Sequence, residues 1–562
     1  MQRFRTRAVA LALTLTLIAS ACGDDGDDDT AGSSGSSSAP SGATASTTTA
    51  APKKGGSVTF GTFAESPGLD PVLGSAAGTT GGNELAALYD RMINWDPIEK
   101  KYTGRTVETF SANANFTEFT FKLRANIKFT DGTPYDAAAV KFNFDRQKEK
   151  NAIIRGPLGS MKEVAVVDPL TVKVTLNDSW PGFLTLVANT LGMIASPTAI
   201  GKLGTTFPVN PVGAGAGPFE LVSFKPKESM VLKRNATYWG GEVYLDEVKF
   251  VNIVGAQATY DALKTGTLDM AFLREPQVIA NAKKDKYAFV QNVMSSGEGL
   301  VLNHGVEATC TGGKPEALCA GKADGTKVAS DAPGKSKKVR QALQLAIDPK
   351  IIDQRANGGT GRIATSFLDE LFTWNPKVDL PKPDVEQAKK LVAEAKSEGW
   401  NGKIRLSCTS SPVRQATALA IQTQLQAVGI EVDMSRSSTD QNQLITDVIT
   451  NKNFDMACWG IPLPPDDWAV TQADSFLRST SGSNRGGYKN PAMDTALDEL
   501  KRAATDAAKV TAWGKIAKIY GDDAVAIFLF HAEEIIATAA RVQGARPSAF
   551  TTINWDKVWV TS

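Results

Sequence analysis

Lys403-Ile404-Arg405-Leu406, a run from Thr417 to Val428, then Gly429 and Ile430-Glu431-Val432-Asp433-Met434 form the passage that decides the fold class. It reads as strand, helix, strand, with Gly429 closing the helix, and a strand–helix–strand unit places its two strands in one sheet. Working outward, the same alternation recurs along the chain. Ser57–Thr62 reads as a first strand and Asn83–Met92 as a helix. Thr117–Leu123 alternates apolar and polar residues, and Asn126–Phe129 is expected to resume that strand after a kink, before the turn Asp131-Gly132-Thr133-Pro134. Ala137–Arg146 is a helix with Val140 and Phe144 on one face. Strands follow at Val172–Leu176, Phe219–Phe224 and Met230–Arg234, with helices at Gln257–Thr265, Lys338–Ala346 and Val385–Lys396. A late helix spans Ala504–Tyr520 and a late strand Ala524–Phe530. The class is α/β with several sheets, and no repeat of solenoid period is present.

The N-terminus speaks to location. Arg3, Arg5 and Arg7 precede an apolar run from Ala8 to Ala19, which ends in Ser20-Ala21-Cys22. A charged start, a short apolar core and small residues before a cysteine have the layout of a bacterial lipoprotein signal. The run falls short of the roughly 20 apolar residues of a spanning helix. Residues 1–21 are therefore expected to be removed and Cys22 to be lipidated, with palmitate among its acyl chains. Gly23 to Thr49 holds no Phe, Trp, Tyr, Leu, Ile or Val, so residues 22–54 are expected to form a disordered tether. With 61 Lys+Arg against 60 Asp+Glu there is no net basic field, which argues against a nucleic-acid partner. The chain beyond the tether is too long for a single hydrophobic core, so two or three lobes are expected.

Apart from Cys22, four cysteines remain. Cys310 and Cys319 bracket a Gly- and Pro-containing segment and are expected to close it with a disulfide; Cys408 and Cys458 pair if their strands are neighbours. None of these spacings is a zinc pattern. Only His304 and His531 are present, neither in a His/Cys cluster, so no metal site and no cofactor is expected.

Many short blocks then fall in one order: Leu69-Asp70-Pro71, Leu88-Tyr89-Asp90, Asn94-Trp95-Asp96, Phe121 to Arg124, Lys128 to Pro134, Gly215 to Phe219, and Tyr238-Trp239-Gly240-Gly241. Ala262 to Asp269, Val339 to Leu343, Ala346-Ile347-Asp348 and Gly487 to Pro491 continue it. Together they resemble the family 5 extracellular solute-binding proteins, the peptide/nickel-type receptors of ABC importers. The blocks also have structural readings of their own, such as the tight Asp131–Pro134 turn and two large rings beside Gly240-Gly241.

The resemblance implies a two-lobed periplasmic-binding-protein-like fold of type II, monomeric, with a two-strand hinge. The first lobe is expected at 55–302 and 525–562, with an inserted subdomain at about 99–208; the second lobe is expected at 303–524. It implies ligand capture in the inter-lobe cleft and delivery to a permease and ATPase complex at the outer face of the cytoplasmic membrane, with the lipid as sole membrane contact. The expected ligand contacts are Phe63, Ala64 and Glu65 after the first strand, Asn303 at the outgoing crossover, and Trp459, Asp466, Asp467 and Tyr488 in the second lobe. Glu65 is either a polar anchor or a turn residue. Asp466 and Asp467 either receive a cationic group or cap the helix beginning near Trp468. Trp459 and Tyr488 either line the pocket or pack in the core. Arg414, Arg478 and Arg485 are either carboxylate receivers or solvated surface residues. An oligopeptide, the family's commonest substrate, is the first expectation, with oligosaccharides, opines, antibiotics and metal chelates as alternatives. The segment Cys458 to Trp468 departs from the family's usual aromatic-Pro-Asp-Pro pattern, which weighs against a true peptide specificity. A lipid-anchored hydrolase is the competing class; the folded region offers no G-x-S-x-G elbow and no H-E-x-x-H motif. A sensor or adhesin without import is a third.

Overall fold

The computed structural model describes residues 51–561, apart from 65, 75, 76, 152, 153, 461, 462 and 466. The signal segment, Cys22 and the tether up to residue 50 lie outside the described residues, as do Glu65 and Asp466.

An eleven-stranded mixed sheet organises the chain. At one end Lys403–Thr409 runs parallel to Glu431–Thr439 and to Met456–Trp459. At the other, Ser57–Thr62 runs parallel to Glu247–Asn252 and Met270–Leu273, and the hairpin Phe219–Lys225/Ser229–Arg234 extends that edge. Two long antiparallel strands, Ala288–Leu302 and Ala526–Thr538, join these halves: Met270–Leu273 pairs with the far end of the second, and Met456–Trp459 with the far end of the first. Their register shifts between Met294 and Glu298, where a β-bulge interrupts the pairing midway between the two halves. A separate antiparallel sheet, Val107–Ala112, Glu118–Leu123, Thr171–Leu176 and Met161–Asp168, is covered by the Ala137–Lys150 helix and shares a core with Phe144, Phe183 and Leu186.

The βαβ passage is present, with wider elements. Its helix starts at Pro412 rather than Thr417, because Pro suits the first helical turn, where its missing N–H has no partner to lose. The late helix runs Asp506–Asp523, capped by the Thr505 side chain on Ala508 N. The strand expected at Ala524–Phe530 begins at Ala526 and continues to Thr538, since Ala524 takes the left-handed conformation that ends the helix. Asn126–Phe129 forms no strand: Asn126 has φ 66°, and Lys128 makes only a single bridge to Pro134 across the turn. Cys310 is bonded to Cys319, and Cys408 to Cys458. The second bond ties two neighbouring parallel strands at their C-terminal ends.

Candidate functional site

In open α/β sheets, ligands bind beyond the carboxyl ends of parallel strands. Here two sets of such ends flank the same pair of long strands. One set ends at Thr62, Asn252 and Leu273, followed by Phe63 and Arg274; the other ends at Thr409, Thr439 and Trp459. Between them, Glu298 and Glu534 lie beside the bulge of the long strands. Gly460 allows the Trp459 segment to press against this pair, as a methyl group at 460 would collide with the Gly297 carbonyl oxygen.

Charges of both signs meet there. Arg414, in the first turn of the Pro412–Ala427 helix, bonds Glu298 through Nη2. A cation at a helix N-terminus opposes the helix dipole, so Glu298 supplies the compensation. Arg274 Nη2 approaches Glu298 at 3.5 Å, and its guanidinium lies 5.9 Å from the centroid of the Phe63 ring. Burial opposes ionisation of Glu298, and Arg414 and Arg274 outweigh it, holding its carboxyl below the ordinary value. Glu534 is 2% exposed, and burial raises its pKa despite Arg274. Arg274 Nε and Glu534 Oε1 face each other at 3.7 Å, and neither has a hydrogen-bond partner among the described residues. Phe63 is 39% exposed and packs its ring on Phe272; Ala64 beside it is half-buried.

Trp459 and Tyr488 come together in a second place. With Phe476, His304, Arg485, Val301 and Ala526 they line a cavity of about 20 Å³, room for one water. Arg485 Nε is buried there with no hydrogen-bond partner among the described residues, and burial lowers the guanidinium pKa. Burial also pushes His304 down to about 3, with Arg340 adding to it, so the ring is neutral and Nε2 donates to the Val525 carbonyl at 2.8 Å. Tyr488 is not a free hydroxyl: it donates to Asp523 Oδ2 at 2.7 Å. Arg478 is paired with Asp474 and Asp498.

Two expected contacts are corrected by their surroundings. Asn303 is fully buried; its Nδ2 donates to Ser330 Oγ and the Phe454 carbonyl, and its Oδ1 accepts from Gly305 N and Val306 N. Both donors and both lone pairs are used, leaving nothing for a ligand. Asp467 occupies the N-cap position of the Trp468–Leu477 helix without a side-chain capping bond. Its carboxylate instead accepts from Lys509 Nζ at 2.5 Å, with the two side chains 13% and 11% exposed. Lys509 also stands 3.9 Å from the Trp374 ring centroid. Asp467 thus already has its cation. Arg274, Glu298 and Glu534 escape a reading of the sequence because none belongs to a motif and each lies far in sequence from the others; the pairing of the two long strands gathers them.

The family model for bacterial extracellular solute-binding proteins, family 5 (middle), matches residues 101–484. The chain is 24% identical over 469 residues to the glutathione-binding protein GsiB of Pectobacterium atrosepticum, covering 82% of this chain and 85% of that protein. Its fold is similar to the ABC transporter substrate-binding protein CtaP of Listeria monocytogenes (TM-score 0.72, 23% identity, 91% of this chain and 100% of that one). It is equally similar to the oligopeptide-binding protein AppA of Bacillus subtilis in complex with a nonapeptide (TM-score 0.72, 20% identity, 91% and 100%).

Proposed function

This chain belongs to the bacterial extracellular solute-binding proteins of family 5, and we propose that it captures an oligopeptide between two lobes and delivers it to an ABC permease and ATPase complex. It acts as a receptor and performs no chemistry on its ligand. The observation that carries the reading is the meeting of two sets of parallel-strand ends on one pair of long strands, with Arg274, Glu298 and Arg414 between them. A site carrying both signs in a partly dried space suits a zwitterionic chain, whose two ends and backbone need partners of both kinds. Phe63, Ala64 and Trp459 are assigned to the ligand-facing surface, Phe63 and Trp459 offering flat faces, whereas Tyr488, 4% exposed and bonded to Asp523, is assigned to core packing. We assign 55–302 with 525–562 to the first lobe, about 99–208 to its inserted subdomain, and 303–524 to the second. A lipid on Cys22 would hold a monomeric receptor at the outer face of the membrane, where the tether raises its effective concentration near the permease.

Thermal melting tests this reading. Short peptides and reduced glutathione, titrated separately, should raise Tm in proportion to the logarithm of free ligand, as binding to the folded state alone requires. Glu298→Gln, which removes the carboxylate that holds Arg274 and Arg414 in place, should weaken the peptide response by about tenfold, the size of one charge-assisted hydrogen bond. No shift with any peptide, or hydrolysis of the peptide, would contradict it.

A further inference from the structure

Trp468 follows Asp467 at the start of the Trp468–Leu477 helix, in the part of the chain assigned to the second lobe. Its ring, however, is buried elsewhere. It is 2% exposed and meets Phe550 edge to face, 5.0 Å between centroids at 84°. The buried cluster that receives it is built otherwise from residues 92–216 and Phe550; among the described residues, Trp468 is its one buried member from 303–524. The receiving side is shaped for it. Phe550 has φ 58° and ψ 41° and Thr551 φ 54°, two consecutive non-glycine residues in the left-handed region. Such strain persists only where the surroundings over-determine it, and it concentrates at clamps and switches. The turn is held by Gly78 N donating to the Phe550 carbonyl at 2.8 Å and by Thr551 Oγ1 donating to Glu534 Oε2 at 2.8 Å. Beside the ring, Gly182 admits Asp467: a methyl group at 182 would lie 3.3 Å from its Cβ. Lys501 Nζ, from the same later part of the chain, donates to Ser160 Oγ at 3.0 Å and lies 5.3 Å from the Trp180 ring centroid.

We propose that Trp468 is a closure anchor: a positioning residue that holds the second lobe against the first by seating its ring on Phe550, and so sets ligand retention without touching the ligand. The Thr551–Glu534 bond links this seat to the long strand that carries the cleft's charges, so the contact and the site share one element. The proposal rests on the two-lobed receptor reading, but its test needs no ligand, so a failure to bind peptide and a failure of the anchor are separable. Spin labels at Lys141→Cys and Lys518→Cys, both exposed positions, report the distance between lobes in the full chain with Cys22→Ser. The expected result is a resolved short-distance, closed population in the parent. Trp468→Leu and Phe550→Leu should each lower the closed population by about tenfold or more, while Trp468→Phe, which keeps an aromatic face, should stay near the parent. If Trp468→Leu lowers the melting temperature but leaves the distance distribution unchanged, Trp468 is a packing residue only and the proposal is overturned. A parent with no short-distance population at all would overturn it equally.

Discussion

At the scale of single residues, the Asp467–Lys509 pair shows why local sequence misled. Two adjacent acids ahead of a helix read as a cap or as a cation site, and the partner that decides between them lies 42 residues away. Breaking such a pair leaves one buried charge unmatched. Lys509→Met is therefore expected to destabilise the protein by about 3 kcal/mol, measured by urea unfolding; a change below about 0.5 kcal/mol would place the pair with ordinary surface bridges. His304 gives a pH signature. The unfolded ring takes up its proton near 6.5, whereas the buried ring resists to about 3. Its contribution is full above 6.5 and is lost as pH falls through that window, on the order of 2 kcal/mol by pH 5. Glu84 has the opposite sign: burial raises it from 4.5 to about 7, so its contribution is full below 4.5 and is lost as pH rises toward 7. Because the two offset each other in the parent, the diagnostic is His304→Gln, which should reduce the acid-side loss between pH 6.5 and 5 by about one proton's slope. An unchanged slope would mean that the ring titrates normally.

At the scale of elements, regular periodicity was legible and interruption was not. Ser57–Thr62, Lys337–Ala346 and Val385–Ser397 stand within a residue or so of their sequence readings, because apolar spacing, and for Val385–Ser397 the Asp384 cap, specify them locally. Of the Ala288–Leu302 strand, the sequence reading pointed only to its end, where Asn303 was placed at the outgoing crossover. Ser295-Ser296-Gly297-Glu298 breaks its alternation, and the partner strand, some 240 residues later, supplies the order that the local sequence lacks. Glu247–Asn252 and Met270–Leu273 are short strands that gain their definition from the first strand between them. The Cys408–Cys458 bond joins two such neighbours just before Trp459 and the helix that carries Arg414. Cross-linking across its separation of 50 residues removes about 4 kcal/mol of unfolded-state entropy, against roughly 2.6 kcal/mol for the separation of 9 at Cys310–Cys319. The Cys408→Ala/Cys458→Ala double variant should thus unfold at lower denaturant than the Cys310→Ala/Cys319→Ala double variant. The reverse order in a guanidinium titration would show that strand pairing alone holds the second site.

At the scale of the whole molecule, the ordered blocks from Leu69 to Pro491 made the receptor class legible through their shared order. Some, such as the Asp131–Pro134 turn and the rings beside Gly240-Gly241, sit where a turn or a close backbone approach is required, while others, such as Val339–Leu343, lie inside regular elements. The site was legible only in outline. Phe63 and Trp459 stand at strand ends beside the long strands, but Asn303 is saturated by Ser330, Phe454 and its own loop, and the cluster of Arg274, Glu298, Glu534 and Arg414 is created by the register of two strands far apart in sequence. A receptor of this kind binds by differential contact with its closed form, so affinity and closure rise together. On this reading the receptor captures an intact peptide. Native mass spectrometry of the protein mixed with an equimolar library of short peptides tests that claim most directly. The prediction is a one-to-one adduct with a subset of the library, released unchanged in sequence on denaturation and reduced in Glu298→Gln. Bare protein across the whole library, or recovery of cleaved peptides, would contradict it.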